Sequence, residues 1–221
     1  MSTIGVVTTC HTYVQYIGPW LESIRALSRT PDKVVIAATD VELVRDYVGD
    51  HWWAHDVLVV QGPRPFRWGS ALDAAIEACE TDWITWIGID DVYKPWALDG
   101  WEDSHADIIA FGLEAPAIKY ARTYSGIPQR TELLDTERRN GITAGSPIRR
   151  SLWEQLKFDS ETWGPLEDWA FTVRAAQLGA TVDITGRVDF EYAVHDGQNR
   201  FDEESFAKRL EQWKREQRSN S

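Results

Sequence analysis

The feature that most constrains this chain is an alternation. Short, continuous, β-branched apolar runs are separated by stretches with helical spacing. "IGVVTTC" (4–10), "KVVIAAT" (33–39), "DVLVVQG" (56–62) and "DWITWIGI" (82–89) lack the every-second-residue polar gaps of a half-exposed strand, so each reads as a strand buried on both faces. Between the first two, Ile17, Trp20, Leu21, Ile24 and Leu27 recur at helical spacing, with Pro19 suited to a first turn. Asp40 stands where it would cap a helix carrying Val41, Val44 and Val48. Leu72, Ile76 and Cys79 share one side of a third helix in "GSALDAAIEACE". Strand–helix alternation with short links predicts an α/β fold, a mostly parallel sheet sandwiched by helices. In such sheets ligands bind at the carboxyl ends of the strands. Thr8 to His11, Thr39–Asp40 and Asp90–Asp91 are therefore expected along one rim.

Past "ADIIAFG", another expected strand, the pattern changes. Residues 114–142 are polar and irregular, with Pro116, Gly126 and Pro128, which is long for a plain connection and suits a binding loop or lid. "SPIRRSLWEQL" and "GPLEDWAFTVRAAQLG" are expected helices, "ATVDIT" a strand, and "RVDFEYAVHDGQNR" a strand ending in a polar loop. From Asp202 onward, Phe206, Leu210 and Trp213 predict a closing helix that docks on the body.

Composition excludes several classes. With 43% hydrophobic residues among 221, the chain has material for a substantial core. No window reaches the roughly 18 apolar residues of a membrane span, and "MSTIGVVTTC" lacks the basic start of a signal peptide, so the expectation is a soluble, cytoplasmic protein. Cys10 and Cys79, the only cysteines, have no metal spacing and are expected as buried thiols. Thirty-five acidic against 23 basic residues give a net charge of -12, which opposes a nonspecific grip on nucleic acid. Basic patches at Arg138–Arg139, Arg149–Arg150 and "AKRLEQWKREQR" read first as solvated surface. Twelve Trp suit both a core and stacking on sugar rings or bases.

The chemistry gathers at a few points. Asp90–Asp91 ends an apolar run in two like charges. Such a pair is either a turn or cap, or holds a divalent cation whose charge relieves the repulsion. His195, in "YAVHDGQNR", is a second candidate ligand, with Asp196 placed to orient its ring; imidazole plus carboxylate suits Mn²⁺, with Mg²⁺ admitted if carboxylate and phosphate oxygens dominate. Glu167 and Asp168, in "PLEDWAF", favour a helix N-terminus, and one of them can serve as general base to an attacking hydroxyl. Asp40 either caps its helix or accepts the N3–H of a uracil-like ring. Arg64 and Arg67 in "GPRPFRWGSALD" are candidates for pairing with phosphate.

In order along the chain, these elements resemble the family 2 glycosyltransferases, whose fold is GT-A. "TTCHTY" stands where that family has a "PTYNR"-like turn, "VVIAATD" at its "VVDDGS"-like strand end, and "WGSALDAAIEAC" loosely at its "G..ARN.GI" helix. "WIGIDDVYKPWAL" matches "FLDADD....P..L", and "FDSETWGPLEDWAFTVRAAQLG" matches "FDE...EDW.L..R....G". The resemblance runs from residue 4 to about 196. It implies a nucleotide-sugar-binding half (1–112), an acceptor-binding and catalytic half (113–200) and a C-terminal helix (201–221). It implies that Asp90, as the last Asp of the DXD motif, binds a divalent cation (Mn²⁺ or Mg²⁺) with His195 as a late ligand, and that Asp168 is the base of an inverting transfer. Thr8, Thr9, Asp40, Arg67, Gly69, Asp73, Asp90, Asp91 and Glu167 would line the nucleotide-sugar site. The implied donor is a nucleoside-diphosphate sugar, with UDP favoured. The acceptor hydroxyl is left open between a glycan, a small molecule and a hydroxymethylated DNA base. Three positions depart from the pattern: Gly88 for the first Asp of DXD, Asp73 for the "ARN" Asn, and Thr8 for the "PTYN" proline. Two other readings stand beside it. A nucleotidyltransferase usually needs a basic Gly-rich loop after the first strand, and "TTCHTYVQYIG" has no Lys or Arg; a non-catalytic sugar-nucleotide-binding module is the reading that Gly88 admits.

Overall fold

The structure, a computed structural model, describes residues 2–51, 53–54, 56–101, 103–124, 141–158, 160, 167–195, 211 and 215. The expectations for the middle of the 114–142 loop, for Arg138–Arg139, for Asp196 and for nearly all of the C-terminal helix lie outside the described residues.

The first half follows the alternation. Strand β1 (Ile4–Cys10) leads through a 3₁₀ turn (Val14–Tyr16) into α1 (Ile17–Arg25), β2 (Lys33–Ala38), α2 (Val41–Gly49), β3 (Leu58–Gln61), α3 (Trp68–Cys79) and β4 (Trp83–Trp86). These strands lie in the order β3-β2-β1-β4, all parallel. Successive residues face opposite sides of the sheet. Val6 and Ile36 enter a core with Trp20, Leu21 and Ile24 of α1 and Val44 of α2. Val7, Val35 and Ala37 enter another with Leu72 and Ile76 of α3. Burial on both sides is why the runs of β1, β2 and β4 show no polar gaps, at roughly 1.5–3 kcal/mol for each fully buried aliphatic side chain; β3, at the sheet edge, departs from the expected burial on both faces, burying Val59 and leaving Leu58 exposed.

The second half departs from simple alternation. After the two-residue β5 (Val92–Tyr93) come β6 (Ile108–Ala115), β7 (Tyr120–Arg122), β8 (Ile148–Arg149), α4 (Arg150–Leu156), α5 (Glu167–Gln177) and β9 (Val182–Glu191). The sheet continues as β4-β8-β6-β9-β5, with β7 paired to β6, and its pairing becomes mixed: β4–β8, β6–β8, β6–β7 and β5–β9 are antiparallel. Two expectations change here. The segment read as a helix from Ser146 first gives a strand, β8, because Ile148 pairs with both Ile84 and Ile108. The two strands read in 180–193 are one long strand. Its register against β6 shifts between Ala110 and Gly112, where Gly186 takes a positive φ of 72°, and the bulge imitates a break in the pattern.

Among the described residues, Trp20, Trp83, Trp153 and Trp169 are almost fully buried core residues, whereas Trp96 is exposed. Cys10 and Cys79 are buried free thiols. Among the described residues no helix is long and apolar enough to cross a membrane.

Candidate active site

Parallel strands place the ends of β1, β2 and β4 side by side, and most of the expected rim residues stand there. Thr8 is buried and its hydroxyl donates to Ile87 O at 2.8 Å, tying β1 to the chain leaving β4. Thr9 is a paired strand residue opposite Ala37. Asp40 caps α2, accepting from Leu43 N at 3.1 Å, and remains exposed beside the end of β2. Next to it, and not anticipated from the sequence, His11 lies flat on Phe66 (4.5 Å between centroids, 2° between planes), its Nδ1 2.8 Å from Thr39 Oγ1. Arg64 folds over this end, donating to Thr39 O at 2.7 Å, whereas Arg67 is exposed at the N-cap of α3.

The carboxylates after β4 divide. Asp91 turns inward and is 5% exposed. Its Oδ2 accepts from Gly88 N at 3.1 Å and its Oδ1 from Ala193 N at 2.8 Å. Burial first, and then the charge of Asp90, push its carboxyl up to about 8, against the pull of those two N–H groups and of His195. Asp90 is half-buried. Its Oδ2 lies 2.9 Å from His195 Nε2, and the His195 ring is set against Tyr13 (5.5 Å) and Tyr16 (5.2 Å) of the 3₁₀ turn. The residue at position 88 must be small, because a Cβ on Gly88 would lie 2.5 Å from Asp90 Oδ1 and 3.0 Å from Asp91 Oδ2. The departure from the DXD pattern is thus compatible with this turn, and a side chain at 88 would displace the pair.

The doublet that opens α5 divides in the same way. Glu167 is buried at 3% exposure and accepts from Gly69 N at 2.9 Å. Ser160, hydrogen-bonded to Glu167, accepts from Ser70 N at 2.7 Å. Gly69 and Ser70 belong to the first turn of α3, whose N-cap, Arg67, makes no side-chain cap bond. The orphan N–H groups of α3 are therefore capped from the second half of the chain. Burial raises the Glu167 carboxyl to about 7, opposed by its bonds to Ser160 and Gly69 and assisted by the nearby charges of Asp168 and Asp73. Gly69 is required by the same packing: a Cβ there would lie 2.6 Å from Ser160 Oγ and 2.9 Å from Glu167 Cδ. Asp73, one helical turn on, accepts from Trp153 Nε1 at 2.6 Å and from Phe158 N at 3.1 Å, and burial raises its pKa. Glu167, Gly69 and Asp73, all expected to line the nucleotide-sugar site, form a seam fastening α3 to the chain around α4 and α5.

Asp168, by contrast, is half-buried and borders a crevice of about 10 Å³, room for one water. Trp86, Ile142, Thr143 and Ala144 form part of that crevice and also line a cavity of about 430 Å³ beside Asp90 and Asp91. Trp68, Phe190, Tyr192 and Arg122 complete its character: aromatic walls, two acids and one base. These residues escaped the sequence reading as one site: Trp68, Trp86 and Phe190 lie in α3, β4 and β9 and Arg122 in the short β7, and only the fold brings them to one cavity. Among the described residues no three His, Cys, Asp or Glu side chains cluster to hold a metal; Asp90 and His195 form a pair. The expected basic patch at Arg149–Arg150 is occupied internally: Arg149 lies over Trp83 at 4.1 Å and donates to Ala106 O, and Arg150 pairs with Glu154 at 2.9 Å.

Comparison with known proteins follows this geometry. No curated protein sequence matches the chain. The sequence model of glycosyl transferase family 2 matches residues 5–144. Among solved structures, TarS 1-349 of S. aureus in complex with UDP-GlcNAc superimposes with a TM-score of 0.67 at 17% identity, covering 94% of this chain and 64% of that one. The same protein with UDP gives 0.64 at 18% identity, covering 87% and 60%. The mannosyltransferase PcManGT from Pyrobaculum calidifontis, in complex with GDP-Man and Mn²⁺, gives 0.63 at 14% identity, covering 89% and 58%. The chain thus spans about 60% of the length of the TarS chain it matches with UDP. With the family match extending over more than half of the residues and the structure superimposing on these neighbours over most of its length, the chain belongs to glycosyl transferase family 2 and has the GT-A fold.

Proposed function

We propose that the protein moves a sugar from a nucleoside-diphosphate sugar to an acceptor hydroxyl with inversion at the anomeric carbon. One observation carries this reading. Asp90, hydrogen-bonded to His195, and Asp168 border two spaces that share the wall of Trp86, Ile142, Thr143 and Ala144. A group suited to a diphosphate thus stands near a group suited to a proton. The neighbouring structures hold UDP, UDP-GlcNAc or GDP-Man, which supports a nucleotide-sugar donor, UDP-linked in our reading. Asp40 and the His11–Phe66 pair at the ends of β1 and β2 would meet the nucleobase.

The donor atoms fit a hard divalent ion, Mn²⁺ or Mg²⁺: a carboxylate oxygen of Asp90 and the imidazole of His195, with phosphate oxygens and water completing the set. Such an ion supplies neutralising charge to the leaving diphosphate. Asp168 accepts the proton of the acceptor hydroxyl, whose oxygen forms the new bond to the anomeric carbon from the face opposite the diphosphate. The bond to the diphosphate breaks as the new one forms. Asp91 and Glu167 hold Asp90 and Asp168 in place through their backbone hydrogen bonds.

A thermal-shift screen of sugar nucleotides with and without Mn²⁺, followed by detection of released nucleoside diphosphate, tests the reading. Stabilisation by a sugar nucleotide that requires the ion, and release of nucleoside diphosphate, are expected. Release of pyrophosphate would replace it with nucleotidyl transfer, and binding without any turnover would leave a binding module.

A further inference from the structure

The cavity beside Asp90 is acidic in a chain of net charge -12, yet its wall holds one guanidinium, Arg122. Arg122 lies on β7, in register with Leu113 of β6, which also lines the cavity. Its Nη2 donates to Gly141 O at 2.6 Å, and its guanidinium lies 4.4 Å over the ring of Tyr124. The Tyr124 hydroxyl is 2.7 Å from Thr143 Oγ1, and Thr143 is itself a wall residue. Ring and carbonyl together fix the arginine where it stands, so that little side-chain freedom remains to be lost on pairing with a ligand. The rest of the wall includes the partly exposed aromatic side chains of Trp68 and Tyr192, and aromatic rings of this kind pack against sugars. A volume of about 430 Å³ accommodates a ligand of one or two sugar rings. The donor's diphosphate is assigned to Asp90 and His195, of which Asp90 lines the same cavity.

We infer that this cavity is an acceptor subsite for a sugar or polyol carrying an anionic group, phosphate or carboxylate, which pairs with the Arg122 guanidinium. The inference rests on the glycosyl-transfer reading for the word acceptor, but the anion site itself does not need it. A planar fork matches carboxylate and phosphate oxygens, and against the surrounding acids it would select for an anion that a neutral glycan lacks.

Intrinsic tryptophan fluorescence of the full chain, titrated in EDTA with glucose, glucose 6-phosphate and glucuronate, tests it; the chelator keeps phosphate from the cation-dependent site. Either or both of the anionic sugars should bind at least about tenfold more tightly than glucose, and which one does so tells phosphate from carboxylate. That margin should shrink as NaCl rises from about 0.05 to 0.5 M, a change that shortens the screening length several-fold. Arg122→Gln should abolish the margin while the affinity for UDP-GlcNAc or GDP-mannose with Mn²⁺ stays within about twofold. Equal binding of neutral and anionic sugars, no binding of any, or a margin that survives Arg122→Gln would overturn the inference. A single-stranded oligonucleotide that outbinds both sugar acids would overturn it too. Weakened sugar-nucleotide binding in Arg122→Gln would move the arginine to the donor. Should Arg122→Gln not fold, the salt dependence of the wild-type margin decides alone. If no sugar nucleotide binds while the margin holds, the glycosyl-transfer reading fails and the anion site stands.

Discussion

Asp90–Asp91, at the end of a strand, and Glu167–Asp168, at the start of a helix, solve one electrostatic problem in the same way. In each doublet one acid turns inward onto backbone N–H groups from distant parts of the chain: Ala193 for Asp91, Gly69 for Glu167. In each, burial pushes that inner carboxyl up, to about 8 and about 7, which favours its neutral form. The other acid is half-buried and borders a cleft, Asp90 at the cavity, whose wall Asp91 also reaches, and Asp168 at the crevice. The positions are mirrored, with the second residue turning in after the strand and the first turning in before the helix. Adjacent acids need not be two copies of one function: the inner acid holds backbone N–H groups in the frame, and in the proposed reading the other acid does the chemistry.

The largest expected effect is at Asp168. Asp168→Asn should lower transfer by about 10²–10⁴-fold, the usual contribution of a general base, with donor affinity unchanged by calorimetry. A next, smaller effect separates frame from chemistry. Glu167→Ala leaves Gly69 N–H buried without its acceptor and should destabilise the fold by about 1–3 kcal/mol in a urea titration. Gly69→Ala, whose Cβ would crowd Ser160 and Glu167, should cost about 1–3 kcal/mol by the same measurement. Asp90→Ala should weaken donor binding by about tenfold or more, roughly 1.4 kcal/mol, and leave the melting temperature near wild type; donor affinity that is the same with and without chelator would remove the cation from the account.

The subtlest difference is in pH dependence. Because the Glu167 carboxyl is raised from 4.5 to about 7, the folded protein binds a proton there that the unfolded chain has released. Its contribution is full below about pH 4.5 and fades as pH rises to about 7, by at most roughly 3 kcal/mol. Glu167→Gln mimics the protonated form, so it should gain stability relative to wild type between pH 5 and pH 8 in paired melts. A parallel pH profile for the two proteins would mean that Glu167 is ionised in the fold.

How legible this was in the sequence follows from which contacts decide each feature. β1, β2, β4 and α1 to α3 were readable because burial on both sheet faces leaves uninterrupted apolar runs and one-sided helices; β3 shows the same apolar run at the sheet edge, where Leu58 is exposed. β8 was not, since two residues paired antiparallel between Ile84 and Ile108 leave no period, and the bulge at Gly186 disguised one strand as two. Both acidic doublets stood out as pairs of charges. Which member turned inward was not legible, because Ala193 N and Gly69 N, far along the chain, make that choice. Asp73 and Glu167 were assigned to the donor from motif position, whereas the partners they have here, Trp153, Phe158, Ser160 and Gly69, come from packing. Arg122 had no pattern at all, and only the folded cavity singles it out.

The division of labour within the doublets is tested most directly by the rate of nucleoside-diphosphate release from Asp168→Asn and Glu167→Gln, measured side by side at saturating donor. Loss of about 100-fold or more in Asp168→Asn, with Glu167→Gln within about fivefold of wild type, is the expected result. A folded Glu167→Gln that is inactive beside an active Asp168→Asn would contradict the account, placing the base on the inner acid.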